Sequence, residues 1–232
     1  MKAASMKFVL AAMVLVTACA WADSLQPAVP SLATIEEPAR WTLHNVTARS
    51  VMAEGRRAAY LISRGDSANG IVGLALPVGV EFETGTIEVE LKGKNVKQRS
   101  FAGVAFNVAD SRTFEAVYFR AFNFKADAPF DKRAVQYISW PDHTWEKLRK
   151  ERPGQFENAV QPVPDPDGWF RARIEVTQAK VRVFVDGAKL PSLVVDRLAS
   201  DRKKRSIGLF VDSADGHYAN LTVTPETVGL PQ

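Results

Sequence analysis

Polar and aromatic residues that could bind a ligand are concentrated between residues 114 and 137. If residues 114–123 form a strand, alternation places Tyr118 and Arg120 on one face and Glu115 on the other. An arginine fork can bind a carboxylate or sugar hydroxyls, and Gln136 could bind a ligand hydroxyl while Tyr137 points the other way. We therefore predict that Tyr118, Arg120 and Gln136 bind a ligand. In the alternative, Arg120 is buried beside an acid and only supports the strand order.

A second group of candidates lies in residues 140–145, which contain two tryptophans and one histidine. Flat aromatic rings stack on the apolar faces of pyranose sugars, and polar neighbours bind their hydroxyls. This pattern predicts that Trp140 and Asp142 contact a sugar. In the alternative, Trp145 packs beneath its own loop and only Trp140 is exposed.

Motifs for catalysis are mostly missing from the sequence. Glu115 and His143 are the candidates for a general acid or base. Glu115 could instead support the scaffold, and no partner for His143 occurs at a fixed spacing. The chain contains no H-E-x-x-H, G-x-S-x-G, P-loop or G-x-G-x-x-G motif, so the catalytic residues, if any exist, remain unknown.

Alternation of apolar and polar residues recurs along the chain after residue 39 and predicts many short strands. Turn sequences rich in Asp, Gly and Pro separate these segments. No apolar pattern of helical period extends over twelve positions, so only short helices are expected, at residues 144–150 or 192–200. We predict an all-β fold, an antiparallel β-sandwich or jelly roll, in a single domain at residues 39–228. The alternating segments are 87–91, 104–108, 170–176, 181–185, 207–211 and 219–223.

The N-terminus has the pattern of an export signal. The chain has 232 residues, and Lys2 and Lys7 precede a short apolar run followed by small residues, which predicts a signal peptide at residues 1–22. Cleavage removes two of the 30 basic residues and none of the 26 acidic ones, which lowers the formal charge from +4 to +2. So small an excess predicts no nucleic-acid partner. Residues 23–38 are predicted to be an extended leader.

The single cysteine, Cys19, offers an alternative to this cleavage. Residues 16–19 (Val-Thr-Ala-Cys) resemble a bacterial lipoprotein box, in which Cys19 would be lipidated and would anchor the protein to a membrane. Cleavage after Ala22 would instead leave a periplasmic or secreted protein. One cysteine also excludes a disulfide framework and a thiolate zinc site.

Several segments resemble the concanavalin A-like lectin/glucanase superfamily. Residues 168–176 and 181–187 are similar to its hairpin that opens with a tryptophan and closes with V-x-V-x-V-D-G. Residues 208–211 and 218–223 resemble its last two strands, and residues 85–90 and 102–106 its early strands. The resemblance covers roughly residues 70–225 and implies a jelly-roll sandwich.

Two shorter motifs narrow this resemblance. The sequence E-x-x-Y-x-R at residues 115–120 and Gln136-Tyr137 look like strands of bacterial laminin-G-like and 3-keto-disaccharide hydrolase-like domains. Laminarinase-type glycosidases of this fold use E-x-D-x-E, and the glutamate pairs at residues 81–83 and 88–90 lack its central aspartate. That departure argues against the laminarinase mechanism.

The superfamily resemblance also raises calcium as a ligand, because several members bind it in acidic loops. Here two such loops, each ending in glycine, contain Asp165 and Asp167, and Asp212 and Asp215. The alternative is ordinary Asp-Gly turn chemistry, and we predict no metal site and no cofactor.

Three functions are compatible with these patterns, since the fold hosts lectins, glycanases and adhesion modules alike. The first is an exported envelope protein that binds carbohydrate in a groove lined by Tyr118, Arg120, Gln136 and the Trp140 loop. The second is a glycoside-cleaving enzyme of 3-keto-disaccharide hydrolase type, in which Glu115 or His143 would act as the general acid or base. The third is a non-catalytic envelope domain that contacts another protein.

Overall fold

The computed structural model describes residues 29–66 and 69–226, which form two antiparallel β-sheets. This architecture confirms the predicted all-β sandwich. The predicted signal peptide and Cys19 lie outside the described residues. The strands are β1 (Trp41–His44), β2 (Val46–Ala53), β3 (Arg56–Ser63), β4 (Gly73–Pro77), β5 (Glu81–Phe82), β6 (Gly85–Lys92), β7 (Phe101–Asp110), β8 (Thr113–Arg120), β9 (Val135–Trp140), β10 (Glu157–Asn158), β11 (Phe170–Val176), β12 (Lys180–Val185), β13 (Leu193–Asp196), β14 (Arg205–Asp212) and β15 (Asp215–Pro225).

The first sheet has the strand order β1-β4-β14-β7-β8-β9-β10. The short strand β5 lies outside this order and pairs with β14. The second sheet has the order β13-β12-β11-β6-β15-β3-β2. All six segments with alternating apolar residues lie within strands, because each strand buries its apolar face between the sheets.

The helices of the described ranges are short. The α-helix α1 (Trp145–Glu151) confirms the expected helix near residues 144–150. Thr144 caps its N-terminus, since its Oγ1 accepts a hydrogen bond from the Lys147 amide. Within the described ranges, short 3-10 helices are formed by Leu32–Thr34, Ala121–Asn123 and Asp131–Arg133. None of the helices in the described ranges has the length and apolar character needed to span a membrane.

Two local expectations were wrong. Residues 192–200 contain β13 instead of a helix, because Leu193 and Val195 alternate with exposed residues and this edge strand pairs with β12. Within the predicted extended leader, Leu32–Thr34 forms a 3-10 helix whose Leu32 is buried, as is the following Ile35. This segment therefore packs into the core.

The register of the first sheet assigns its side chains to two sides. Phe119 lies on the side that meets the second sheet, since its ring centroid is 5.0 Å from that of Phe170 in β11. The row across β14, β7, β8 and β9 on this inner side is Leu209, Val104, Val117 and Tyr137. The neighbouring row on the outer side is Phe210, Gly103, Tyr118 and Gln136. Tyr137 thus points away from Gln136, as predicted from alternation.

Gly103 is a point of close approach between β7 and β8, and Gly103→Ala is expected to destabilise the fold. A Cβ atom there would lie 2.1 Å from the Val117 carbonyl oxygen and 2.5 Å from the Tyr118 Cα atom. Because backbone atoms would have to move, we expect the free energy of unfolding to fall by about 1–3 kcal/mol. Urea unfolding measures this loss, and an unchanged midpoint would contradict the close approach of β7 and β8.

Candidate functional site

The outer side of the first sheet carries a pocket of about 270 Å³. Strands β7 and β8 contribute Phe101, Tyr118 and Arg120, and α1 contributes Trp145 and Arg149. We call it the arginine pocket. Its lining residues are Lys97, Gln98, Phe101, Tyr118, Arg120, Phe122, Asn123, Phe130, Arg133, Trp145, Arg149, Asp212 and Ser213.

Three of the residues predicted to bind a ligand meet at this pocket. Arg120 Nη2 donates hydrogen bonds to the Tyr118 hydroxyl at 2.9 Å and to Gln136 Oε1 at 2.5 Å, and the Tyr118 hydroxyl donates to the same Gln136 oxygen at 3.1 Å. Burial raises the pKa of Tyr118 to about 12, so its hydroxyl keeps its proton at neutral pH. Gln136 is buried behind the other two and orients them without lining the pocket.

Three arginines surround one carboxylate at this site. Arg149 binds Glu157 through two hydrogen bonds of 3.0 and 2.5 Å, while Arg120 and Arg133 approach the same carboxylate at 3.8 and 3.9 Å. Arg120 thus has the neighbouring acid proposed in the alternative interpretation, and it also lines the pocket. Burial lowers the pKa of the Arg120 guanidinium, yet an arginine keeps its charge in a folded protein.

Aromatic rings lie directly beside these cations. Arg149 Cζ is 4.9 Å from the ring centroid of Trp145, and Arg120 Cζ is 5.0 Å from that of Tyr118. The ring centroid of Phe130 is 5.4 Å from Lys97 Nζ and 5.3 Å from Arg133 Cζ. Phe130 is 44% exposed to solvent. Cation–aromatic contacts of this kind restrict the orientation of both partners.

Trp140, Asp142 and His143 line a second pocket, of about 160 Å³. The Trp140 ring stacks against Phe114, with the centroids 6.5 Å apart. Phe114 precedes Arg120 by six residues along β8, which is about 20 Å at 3.3 Å per residue. The structure therefore separates Trp140, Asp142 and His143 from the Arg120 cluster, whereas Trp145, at the end of the same segment, lines the arginine pocket. Burial, with Lys147 and Arg152 nearby, lowers the pKa of His143.

Glu115 lies on the inner side of the sheet, away from both pockets. Its carboxylate accepts hydrogen bonds from Arg197 at 2.5 and 3.1 Å, from the Tyr137 hydroxyl at 2.5 Å and from Asn107 at 3.1 Å. Its side chain and that of Arg197 are both 0% exposed. A substrate has no access to this carboxylate, so the geometry favours a structural role over the proposed acid–base role.

The four aspartates considered for calcium do not form one site. Asp215 accepts hydrogen bonds from the Tyr60 hydroxyl at 2.7 Å and from Lys94 at 2.5 Å. Asp165 and Asp167 accept backbone amide hydrogens within their loop and from Asn95, as turn residues do. Within the described residues no group of three or more His, Cys, Asp or Glu side chains is placed to hold a metal.

Several residues of the arginine pocket were not predicted from the sequence. Glu157 lies in the two-residue strand β10, which pairs with β9 beside Gln136 and has no local signature. Arg133 is the last residue of the 3-10 helix Asp131–Arg133, whose position depends on the whole sheet. Arg149 stands four residues after Trp145, and this spacing on a short helix was the one available signal.

Comparisons with known proteins find likeness in structure only. No protein-family model matches the sequence, and no curated protein matches it. The carbohydrate-binding module CBM66 from Bacillus subtilis has a TM-score of 0.52 at 16% identity, over 78% of this chain and 92% of that one. A structure described as a native glycosidic hydrolase also has a TM-score of 0.52, at 12% identity, over 84% and 93%. A Bacillus subtilis protein of unknown function with a galectin-like fold has a TM-score of 0.50 at 14% identity, over 83% and 91%.

These neighbours have the jelly-roll sandwich expected from the sequence motifs. At such low identity the likeness establishes the architecture and leaves the activity open. The two sheets, their strand order and these neighbours lead to one conclusion. The protein has a jelly-roll β-sandwich fold.

Proposed function

We propose that the protein is an exported carbohydrate-binding protein of the cell envelope and that the arginine pocket holds the sugar. The observation that carries this proposal is the combination of solvent-facing aromatic rings and fixed hydrogen-bond donors in one pocket. Export rests on the signal pattern of residues 1–22.

The aromatic part of the pocket suits a sugar ring. Phe130 and Trp145 are both partly accessible, and the flanking arginines restrict their orientation. A pyranose has an apolar face that stacks on such rings, and its hydroxyls then point to the polar rim. The lining includes the exposed Gln98, whose side chain offers both donors and acceptors.

The polar part is already ordered before a ligand arrives. Arg120 is held by Tyr118, Gln136 and the Arg133 carbonyl oxygen, to which its Nη1 donates at 2.9 Å. Because these groups need little rearrangement, a ligand loses less binding free energy to ordering of side chains.

The small number of carboxylates at the site favours binding without cleavage. The described lining contains one, Asp212, and nearby Glu157 is engaged by both ends of the Arg149 fork. Most glycosidases use two carboxyl groups that flank the scissile bond, about 5–5.5 Å apart in retaining enzymes and 6.5–9.5 Å apart in inverting ones.

The structural neighbours agree with a carbohydrate ligand at a coarser level. One is, by its name, a carbohydrate-binding module, and another is described as a glycosidic hydrolase. They support both the binding proposal and its alternative, so the experiment has to separate the two.

Calorimetric titration with neutral and acidic oligosaccharides, combined with chromatography of the sugars afterwards, tests the proposal. We expect saturable binding with no smaller products, and about tenfold weaker binding by Arg120→Lys, which keeps the charge but loses the fork. Lys189→Gln, at an exposed turn, is the control. Absence of binding across the sugars would overturn the proposal, and time-dependent release of smaller sugars would favour the glycoside-cleaving alternative.

A further inference from the structure

We propose that the sugar bound in the arginine pocket carries a carboxylate, as a uronic acid does. This inference rests on the proposed function and goes beyond it by naming the chemical class of the ligand. Two observations support it: the pocket has an excess of cationic side chains, and two of these side chains have hydrogen-bond donors that bind no described residue.

The pocket has an excess of positive charge. Four of its lining residues are cationic, namely Lys97, Arg120, Arg133 and Arg149, while Asp212 is the carboxylate of the described lining. Counting Glu157 behind the arginines, the site has four cations and two carboxylates, a formal excess of two positive charges.

The donors of Arg133 and Lys97 are not used by the described residues. The Arg133 side chain donates no hydrogen bond to a described residue, and its approach to Glu157 at 3.9 Å is a charge contact without one. Lys97 also donates no hydrogen bond to a described residue, and its Nζ lies over the Phe130 ring. Arg133 is 31% exposed, so its fork is accessible from solvent.

Lys97 and Arg133 lie next to the same aromatic ring. Both lie over Phe130, the exposed ring at the edge of the pocket. A sugar that contacts the exposed part of this ring would therefore place a substituent close to an ammonium group and a guanidinium fork. A planar carboxylate matches the fork with two parallel hydrogen bonds, which a neutral hydroxymethyl group cannot form.

A matched pair of ligands tests this inference. Trimers of galacturonate and of glucuronate are titrated beside their methyl esters, which keep the ring shape and remove the charge, in low and high salt. We expect at least one acid to bind about 10–100-fold more tightly than its ester. Because the cations are partly exposed, this preference should shrink as salt increases.

The possible outcomes distinguish the two proposals. Equal affinity for acid and ester would overturn the carboxylate inference and leave sugar binding intact, whereas no binding of any sugar would overturn both. Acetate that displaces the acid at comparable concentration would identify a small-anion site instead of a sugar site. A sulfated sugar that binds as tightly as the uronate would show recognition of charge alone and contradict the carboxylate assignment.

Variants locate the effect. Arg133→Gln should weaken binding of the acid about tenfold or more and leave binding of the methyl ester unchanged. Lys189→Gln removes the same charge from a distant exposed turn and should change neither. Circular dichroism melting checks that both variants fold. An equal loss for acid and ester in Arg133→Gln would contradict charge pairing at this residue.

Discussion

Replacing Arg197 by methionine is expected to lower the free energy of unfolding by about 3–5 kcal/mol, because Glu115 would remain as a buried charge without its partner. Both side chains are fully buried, with 2.5 Å between Arg197 Nη2 and Glu115 Oε2. Water cannot reach the carboxylate to replace the lost hydrogen bonds. In a domain of this size such a loss shifts the melting midpoint by on the order of 10 °C.

The pair also joins parts of the chain that are distant in sequence. Arg197 donates to the Thr177 carbonyl oxygen at 3.1 Å, in the turn between β11 and β12, while Glu115 belongs to β8 of the other sheet. The Tyr137 hydroxyl donates to Glu115 and accepts from the Leu198 amide at 3.0 Å. Removing Arg197 therefore disturbs contacts between the two sheets.

Urea unfolding of the single and double variants measures this effect. Leucine at Glu115 together with methionine at Arg197 removes both charges, and we expect it to recover part of the stability lost in Arg197→Met. A single variant within about 1 kcal/mol of the parent would contradict the buried ion pair.

Replacing Trp145 by alanine is expected to weaken sugar binding by about 30-fold. Trp145 presents ring surface in the arginine pocket beside Arg149, and loss of a central aromatic contact typically costs about 2 kcal/mol or more. Alanine favours helix, so α1 should remain. Calorimetric titration with the tightest-binding oligosaccharide measures the loss.

Trp140→Ala is the matched control for this prediction. It also removes an indole, but from the second pocket, where Trp140 stacks on Phe114. We expect it to bind sugar like the parent. If Trp140→Ala lost affinity and Trp145→Ala kept it, the sugar would lie in the second pocket.

The sequence carried enough information for the strands and for part of the pocket. Alternation along β8 correctly separated Tyr118 and Arg120 from Glu115, because side chains in a strand point to opposite sides whatever the tertiary context. The absence of a long helical pattern left only short helices, of which the one expected at residues 144–150 is α1. These are local properties, which sequence reasoning handles well.

The remainder depends on contacts between distant segments. Glu157 and Arg133 meet Arg120 only because β10 and a 3-10 turn lie next to β9 and β8 in space. Trp140 and Arg120 were predicted to line one groove, but they lie near opposite ends of β8. Residues 192–200 form an edge strand because β12 offers backbone partners, which outweighs any local helical preference.

The location of the bound sugar is tested most directly by ¹⁹F NMR of protein labelled with 5-fluorotryptophan. Trp145 lines the arginine pocket and Trp140 the second pocket, while Trp41 and Trp169 line neither. Titration with the tightest-binding oligosaccharide should shift the resonance that disappears in Trp145→Phe and leave those of Trp41, Trp140 and Trp169 unchanged. The fifth tryptophan, Trp21, belongs to the predicted signal peptide. A shift confined to Trp140, or saturable binding that leaves the Trp145 resonance in place, would contradict the assignment of the sugar to the arginine pocket.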